Sequence, residues 1–246
     1  MELSTVLRHT PTVREFAPDP VDPAVLHEIL DLARFAPSGG NRQGWHVIVV
    51  SDGQVRRRLR DLYVLGWREY MGHVARGLVP FAPDFDGIWH GPAIDLDAAR
   101  ARPQPHLLAD HLDQVPVLLV VTVDLTGLAV TDNGLDRQSI VGGASIYPFV
   151  HNILLAASDR GVAGVLTTVL CRQEPAVAEL LGIRRPHAMA AVVAMGYPLQ
   201  PPKRPRRLRV EEFATHDHFD GQPYLVGGEE PEPGASHPIH PGAHPQ

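Results

Sequence analysis

Two segments of the chain place hydroxyl groups and cations where they could bind an oxyanion. Residues 10–16 read Thr-Pro-Thr-Val-Arg-Glu-Phe, so Thr10 and Thr12 lie close to Arg14. Arginine offers a planar fork of donors to a phosphate group, and threonine adds one directed donor. Residues 203–209 carry five cations in seven positions, Arg207 among them. Both segments suit phosphate neutralisation; an ordinary helix cap beside a surface arginine and a solvated charge run are the simpler interpretations.

Two further segments could line a flat ligand. Residues 36–45 read Ala-Pro-Ser-Gly-Gly-Asn-Arg-Gln-Gly-Trp, in which Gly39 lets backbone amides approach closely while Ser38 and Asn41 supply donors and acceptors. The other set lies in an apolar run and consists of Leu166, Thr167 and Thr168. Hydroxyls in a buried strand need partners, which a ligand or the neighbouring backbone could provide. A polar turn would explain the glycines of the first segment but not its ordered Ser/Asn/Gln set.

Several common catalytic motifs are absent from the sequence. No Gly-x-Gly-x-x-Gly follows a predicted strand, and no Walker loop, His-Glu-x-x-His, Cys-x-x-Cys or Gly-x-Ser-x-Gly is present. The densest group of histidines, His237, His240 and His244, lies in a proline-rich tail that we expect to be solvated, so no metal site is predicted. The single cysteine, Cys171, is interpreted as a small buried apolar residue rather than a reactive thiol.

The elements that must position these segments follow from hydrophobic periodicity and from breaker residues. Asp22 and Pro23 are typical of a helix start. Helices are predicted at 22–35, 54–70, 140–158 and 174–181, and strands at 45–50, 116–124, 165–170 and 189–195. The run at 116–124 is apolar on both faces, which predicts a central strand. Because strands and helices alternate, we expect an α+β fold, an α/β sandwich with a mixed central sheet flanked by helices.

The chain length favours one domain, which we assign to residues 1–226. Residues 72–112 lose the regular pattern and are rich in Pro, Gly, His and Asp with isolated aromatics. This excursion is either a functional lid or a poorly ordered insertion. Residues 227–246 consist mainly of Pro, Gly, Glu and His and are predicted to be a disordered tail.

Composition excludes several classes of function. The formal net charge of -6 gives no reason to expect binding to nucleic acid or to a membrane, because both surfaces attract basic patches. One cysteine rules out an internal disulfide and favours an intracellular compartment. The N-terminus lacks the layout of a signal peptide, and no window is apolar enough to span a bilayer. We therefore expect a soluble, cytoplasmic protein.

Taken in order along residues 5–215, these motifs resemble the flavin-dependent nitroreductase family. That family has a short phosphate motif, a capped helix, an Ala-Pro-Ser-x-x-Asn-x-Gln-Pro-Trp segment, a Gly-rich approach to a strand, Leu-Gly-Tyr-Pro and a basic C-terminal segment. The corresponding segments of this chain are 12–16, 36–45, 161–168, 195–198 and 207–212.

What the resemblance implies is a homodimer that holds FMN at its subunit interface, with contacts from both chains. The positions that match the family's phosphate contacts are Thr10, Thr12, Arg14 and Arg207. The positions that match its flavin-lining loop are Ser38, Gly39 and Asn41. The positions that match the strand at the ring edge are Leu166, Thr167 and Thr168, and this Thr-rich version is also similar to the flavin-dependent dehalogenase branch.

The sequence departs from the family pattern at two places. Thr10 and Pro11 stand where the family usually has one or two arginines, so the phosphate site has lost charge there, for which Arg8 could compensate. Gly44 replaces the usual proline before Trp45, which loosens that turn.

The function that the resemblance implies is a two-step reduction. NAD(P)H reduces FMN, and the flavin then reduces a small aromatic or electrophilic acceptor such as a nitroaromatic, a quinone or an activated alkene. No side chain is assigned as a catalytic acid or base, because the cofactor carries the chemistry. Three alternatives stay open: a reductive dehalogenase or specialised flavin oxidase, a flavin-binding carrier or sensor without turnover, and a member that has lost FMN.

Overall fold

The computed structural model of the protein describes residues 1–201 and 205–225. Lys203 and Arg204 of the basic run, and the tail at 227–246 with its three histidines, lie outside these residues. Within them the chain forms three layers, in which helices cover both faces of a four-stranded sheet. This is the α+β sandwich that the sequence predicts.

The longest connections lie between α1 and α2, between α3 and α5, and between β2 and α6. The helices are α1 (Leu3–His9), α2 (Pro23–Ala33), α3 (Gly53–Val74), α4 (Leu96–Ala101), α5 (Leu107–Asp110), α6 (Tyr147–Asp159) and α7 (Glu174–Leu181). The strands are β1 (Trp45–Val49), β2 (Val117–Asp124), β3 (Ala163–Thr167) and β4 (His187–Gly196). Short 3₁₀ turns occur at Gly39–Asn41, Leu112–Gln114, Leu125–Gly127, Val141–Ser145, Val169–Gln173 and Val210–Glu212.

Aspartates begin two of the long helices, and the sequence predicts the first of them, Asp22. The Asp22 carboxylate accepts the amide N–H of Ala24 at 2.8 Å, and Pro23 occupies the first turn of α2. The Asp52 carboxylate accepts two amides at the start of α3. These bonds satisfy N–H groups that have no partner inside the helix.

The sheet has the strand order β1-β2-β4-β3, and each neighbouring pair is antiparallel. The parallel component expected of a mixed sheet is confined, among the described residues, to the isolated bridge between Thr12 and Gly164. Strand β2 is interior and buried along nearly its whole length, so its predicted central position is confirmed.

Side-chain alternation along β2 divides the interior into two cores. Leu119 and Val121 face α2 and α6, whereas Leu118 and Val120 face α3, α5 and α7. Each fully buried aliphatic side chain contributes about 1.5–3 kcal/mol relative to an exposed one. Helices therefore pack on both faces of the sheet and hold the ends of its strands in place. Residues at the strand ends can form a site for this reason.

Three element predictions need correction. The helix predicted at 140–158 begins at Tyr147, and the small residues before it form a 3₁₀ turn. The strand predicted at 165–170 runs from Ala163 to Thr167, so Thr168 lies outside it, at the start of a 3₁₀ turn. The Thr167 hydroxyl oxygen accepts the amide of Val169 at 3.4 Å, a local bond that competes with the strand ladder. Residues 72–112 are not wholly irregular, because the end of α3, the helix α4 and the short helix α5 lie within them.

No helix in residues 1–201 and 205–225 is long and apolar enough to cross a membrane.

Candidate functional site

The extended segment at residues 10–16 runs beside the edge strand β3. The Val13 amide donates to the Gly164 carbonyl at 3.0 Å, and Thr12 pairs with the same glycine in a parallel bridge. A Cβ at position 164 would lie 2.8 Å from the Ala194 carbonyl oxygen, so the strands can approach only because this residue is glycine. The predicted phosphate motif is thereby fixed against the strand that carries the predicted ring-edge residues.

Arg14 projects from this segment towards the end of β3. Thr12 and Arg14 are two residues apart in extended backbone, so their side chains leave on the same side. The Tyr63 hydroxyl lies 3.1 Å from the Thr167 hydroxyl. Burial raises the pKa of Tyr63, and the Thr167 hydrogen bond and the nearby charge of Arg14 oppose this shift. Burial also lowers the pKa of His106, and Arg14 adds to that effect. The Arg14 charge therefore acts on both Tyr63 and His106, and Tyr63 is hydrogen-bonded to Thr167.

The Arg14 guanidinium is exposed and makes no hydrogen bond or ion pair with any residue in the described ranges. It thus differs from other arginines of the chain, such as Arg137 and Arg160, whose carboxylate partners lie at 2.8 and 3.0 Å. A guanidinium group that lies next to hydroxyl groups and forms no ion pair among the described residues can accept an anion without first breaking an ion pair.

Sequence reasoning missed three members of this group: Tyr63, Trp67 and His106. Tyr63 and Trp67 belong to the packed face of α3, and the Trp67 ring lies 4.2 Å from the His106 ring. The Trp67 indole nitrogen is buried without a hydrogen-bond partner among the described residues. Nothing in the sequence separates these residues from ordinary core positions, because the contacts that assemble them join distant parts of the chain.

The loop at residues 38–43 forms a second group. The Gly39 amide donates to the Ser145 hydroxyl at 3.0 Å, and the Gln43 amide donates to the Ser38 hydroxyl at 3.0 Å. Asn41 has a positive φ of 52°, a conformation that asparagine tolerates better than most residues. The predicted Ser/Gly/Asn set is therefore held in one tight turn, and Ser145 is an anchor that the sequence did not reveal.

The segment before Ser145 is organised by a buried carboxylate. Asp132 accepts the Ile140 amide, the Arg137 guanidinium and the Ser139 hydroxyl, each at 2.8 Å. These bonds hold the pKa of Asp132 well below its usual range, against the opposing effect of burial. The carboxylate fixes the loop that leads into Ser145 and thus, indirectly, the turn that contains Gly39.

The two groups of predicted site residues lie on opposite faces of the sheet. The loop at 38–43 is bonded to Ser145, at the start of the α2/α6 layer, whereas Thr167 is bonded to Tyr63 in the α3 layer. They also lie at opposite edges, because the loop precedes β1 and Thr167 ends β3. One copy of the chain does not bring Ser38, Gly39 and Asn41 to Thr12, Arg14 and Thr167.

Four predicted site residues belong less clearly to either of the two groups. The Thr10 hydroxyl donates to the Val6 carbonyl at 2.7 Å, so its proton is already used at the end of α1. Leu166 packs into the α2/α6 core, on the side of β3 opposite Thr167, and Thr168 is exposed. The exposed Arg207 guanidinium donates to the Arg206 carbonyl at 2.7 Å.

Comparison with known proteins shows which family this chain belongs to. A model of the Nitroreductase family matches residues 7–197, which include the segment at 10–16, the loop at 38–43 and strand β3. The chain belongs to the nitroreductase family.

Named relatives of this nitroreductase-family chain include reductases and deiodinases. A 4-nitrobenzoate reductase of Nocardioides sp. (strain LMS-CY) is 27% identical over 209 residues, covering 78% of this chain and 78% of the relative. Iodotyrosine deiodinase 1 of Rattus norvegicus is 24% identical over 197 residues, covering 80% of this chain and 62% of the deiodinase, so the chain spans less than two thirds of that relative. The solved NADPH:FMN oxidoreductase of Vibrio harveyi in complex with NAD+ has a TM-score of 0.60 and 17% identity, covering 88% of this chain and 77% of that one. Membership supports a flavin-dependent oxidoreductase as the general class.

Beside the site, the nitroreductase-family chain contains a buried charge network. Glu69 of α3 has no exposed surface, and its carboxylate accepts Arg100 at 2.6 Å, Arg172 at 2.9 Å and Gln173 at 3.4 Å. Arg100 belongs to α4, whereas Arg172 and Gln173 belong to the turn that follows β3. The network therefore joins the excursion to the turn next to Thr167.

The excursion between α3 and α5 is anchored at its base and at its tip. At the base, Phe81 packs against the His73 ring at 4.5 Å and under the Arg172 guanidinium at 4.6 Å. At the tip, the Gln138 amide donates to the Gly87 carbonyl at 2.8 Å. A cavity of about 490 Å³ lies within the excursion and is lined by Phe81 and by the exposed side chains of Phe85 and Trp89, among others.

Neither thiol nor metal chemistry is indicated in the described part of the chain. Burial raises the pKa of Cys171 to about 11, and the charge of Glu174 adds to the effect, so the thiol stays protonated. In residues 1–201 and 205–225, no three His, Cys, Asp or Glu side chains are grouped closely enough to hold a metal ion.

Proposed function

We propose that the protein is a homodimeric FMN-dependent oxidoreductase that uses NAD(P)H to reduce a small nitroaromatic, quinone or activated alkene. The observation that carries the proposal is the exposed Arg14 guanidinium, which lies on the same segment as Thr12 and forms no ion pair with any residue that the structure describes. When bound, FMN supplies the redox chemistry, and the protein supplies binding and orientation.

The residues of the site fit a flavin mononucleotide. Arg14 offers the forked donors that a phosphate prefers, and Thr12 lies on the same side of the extended segment. Thr167 and Tyr63 provide hydroxyl groups at the end of β3, where the polar edge of a ring could be bound. Thr10 suits this role less well than Thr12, because its hydroxyl already donates to Val6. Relatives support the same cofactor, since the Vibrio harveyi protein is an NADPH:FMN oxidoreductase.

A homodimer would bring the two groups of site residues together. In a two-fold dimer, the loop at 38–43 of one subunit can meet the Arg14 side of its partner, a meeting that the sheet prevents within one chain. The C-terminal segment at 206–224 supports this arrangement, because all its hydrogen bonds among the described residues are internal. It also exposes five large apolar side chains, those of Leu208, Val210, Phe213, Phe219 and Tyr224. Such a segment is suited to packing on a second subunit.

We predict that removing the C-terminal segment separates the two subunits of the dimer and releases the flavin. A chain that ends at Val226 keeps the apolar side chains and should remain an FMN-loaded dimer. A chain that ends at Pro205 loses them and should dissociate at micromolar concentration, with loss of flavin. Light scattering after size exclusion, with absorbance at the flavin band, measures both properties. A flavin-loaded monomer in either form would contradict the dimeric site.

We predict that the aromatic residues of the excursion have separable roles. Phe85 and Trp89 are exposed and free to stack on a flat acceptor, so replacing either with alanine should raise the acceptor KM about two- to tenfold. Flavin reduction by NAD(P)H should stay within a few-fold, and the melting temperature should not change. Phe81→Ala serves as the comparison, because Phe81 packs on His73 and Arg172 and its loss should lower the melting temperature. If Phe85→Ala and Trp89→Ala leave acceptor KM unchanged, the excursion is not an acceptor lid.

The proposed function is tested by identifying the cofactor and then reducing it. The chromophore of the purified protein is released by heat and identified by mass, with FMN expected at one per chain. Anaerobic titration with NADH or NADPH should bleach the flavin, and a nitroaromatic or quinone should restore its colour. FAD, or no flavin after reconstitution with excess FMN, would refute the cofactor assignment, whereas FMN that NAD(P)H does not bleach would indicate a carrier or sensor.

A reductive dehalogenase is the second candidate. The similarity to rat iodotyrosine deiodinase 1 favours it, together with the Leu-Thr-Thr sequence at 166–168, whose last residue follows β3. With a chemically reduced flavin, release of halide from a halogenated phenol at a rate above that of nitroaromatic reduction would select this alternative.

A further inference from the structure

A second cavity lies away from all positions considered above. It has a volume of about 400 Å³ and opens where β1, β2 and β4 meet the loop that follows α7. Its apolar wall includes Ile48 and Ile183, and its polar wall includes His46, Thr122 and His187. The volume lies within the range of small-molecule pockets, which are mostly apolar with a few convergent polar groups.

The polar wall is fixed by the sheet. His46 pairs with Thr122 across β1 and β2, and the buried Thr122 hydroxyl lies 3.2 Å from Nδ1 of His187. The rings of His46 and His187 meet edge to face with centroids 6.1 Å apart. These three side chains therefore converge from adjacent strands on one side of the cavity without filling it.

The rim of the cavity carries two arginines. Arg184 and Arg185 are exposed, and neither has a carboxylate within 4.0 Å among the residues that the structure describes. The Asp124 carboxylate is close enough to His187 for their charges to interact, and it accepts both the amide and the hydroxyl of Thr126, at 2.8 and 2.6 Å. In a chain whose net charge is -6, this rim is a local concentration of positive charge.

The cavity is separate from both groups of predicted flavin contacts. Successive side chains alternate across a sheet, so His46 lies on the face opposite Trp45, whose ring stacks on Phe149 in the α2/α6 layer with the loop at 38–43. Along β4, His187 is five residues from Val192, the partner of Thr167, a separation of about 17 Å at ~3.3 Å per residue. One ligand cannot occupy the cavity and the end of β3 together.

We propose that this cavity binds a small organic anion, a carboxylate or phosphate ester with a compact apolar body. Arg184 and Arg185 would bind the anionic group through forked hydrogen bonds, which suit both carboxylate and phosphate. Ile48 and Ile183 would pack on the apolar body, and Thr122 with the two histidines would orient it. The inference does not depend on FMN or on the acceptor, because no residue of the cavity belongs to the flavin positions.

The test follows the NMR signals of the Ile48 and Ile183 Cδ1 methyl groups in the full-length, flavin-loaded protein. These signals are assigned by their loss in the Ile48→Val and Ile183→Val variants. The probes are cyclohexanecarboxylate and cyclohexyl phosphate, which are not flat and do not stack on a flavin, and the neutral control is cyclohexanecarboxamide. Either anion should shift both methyl signals saturably at millimolar concentration, whereas the amide should not. The stronger of the two anions identifies the preferred anionic group.

Two matched double variants test whether the methyl shifts depend on the arginines at the rim of the cavity. Arg184→Gln with Arg185→Gln should weaken anion binding by about tenfold or more, the effect of losing one charge-assisted contact. Arg57→Gln with Arg58→Gln removes the same charge from an exposed adjacent pair on α3 and should leave the affinity unchanged. Equal weakening in both variants would mean a nonspecific charge effect, and no shift with either anion would refute the site. If ending the chain at Val226 moves the two methyl signals without added ligand, the tail occupies the cavity and the proposal is wrong.

Discussion

Replacing Glu69 with alanine is expected to lower the free energy of unfolding by about 3–5 kcal/mol, the typical cost of removing one partner from a buried ion pair. Glu69 is fully buried, and its carboxylate binds Arg100, Arg172 and Gln173. Alanine leaves two partly buried guanidinium groups without their counter-charge. It also leaves a space between α3, α4 and the turn after β3, since these elements meet at that carboxylate.

For a chain of this length, the loss should appear as a fall in melting temperature of about 6–20 °C, measured at one fixed protein concentration. Glu28→Ala is the matched control, because Glu28 forms an exposed ion pair with Arg160 at 3.0 Å and should contribute at most about 1 kcal/mol. Glu69→Gln keeps the shape and some hydrogen bonds and should fall between the two. Equal melting temperatures for the Glu69→Ala and Glu28→Ala proteins would show that the network contributes little.

The Glu69 network illustrates which features of the fold the sequence can predict. Strand β2 was predictable because a continuous apolar run has one stable location, the sheet interior. Helix α2 was predictable because Asp22 and Pro23 are a local start signal. Glu69 and Arg172 are 103 positions apart, and their pairing depends on how α3 packs against the turn after β3. No local pattern encodes that contact, so the sequence does not distinguish Glu69 from a solvated charge on a helix face.

The candidate site divides in the same way. The turn at 38–43 and the Thr12/Arg14 segment could be found because their residue types and spacing lie within a few positions of one another. Tyr63 and His106 could not be found, because a tyrosine on the packed face of α3 and a histidine before a short helix have ordinary structural explanations. The end of β3 was placed three residues too far along the chain, because the apolar run continues to Leu170 while residues 169–173 form a 3₁₀ turn.

Replacing Arg14 with alanine is expected to weaken FMN binding by about ten- to a hundredfold, because a hydrogen bond to a charged group is worth about 1.5–3 kcal/mol. The Arg14 guanidinium has no competing partner in the described part of the chain, so the substitution should not disturb folding. The FMN dissociation constant is measured by quenching of flavin fluorescence. Arg14→Lys should recover only part of the affinity, because an ammonium group lacks the planar fork. Arg57→Ala, on the exposed face of α3, controls for net charge.

A second prediction about FMN binding concerns Arg207 and tests the dimer proposal. Arg14 and Arg207 both match the family's phosphate contacts, so the dimer proposal requires them to meet at one phosphate. Arg207→Ala should then also weaken FMN binding. The loss of binding free energy in the double variant should differ from the sum of the two single losses by at least about 0.5 kcal/mol, because groups that share a partner are coupled. Strictly additive losses would mean that the two arginines act on FMN at separate places. Unchanged affinity in both single variants would mean that the phosphate is bound elsewhere, and the assignment of residues 10–16 would be wrong.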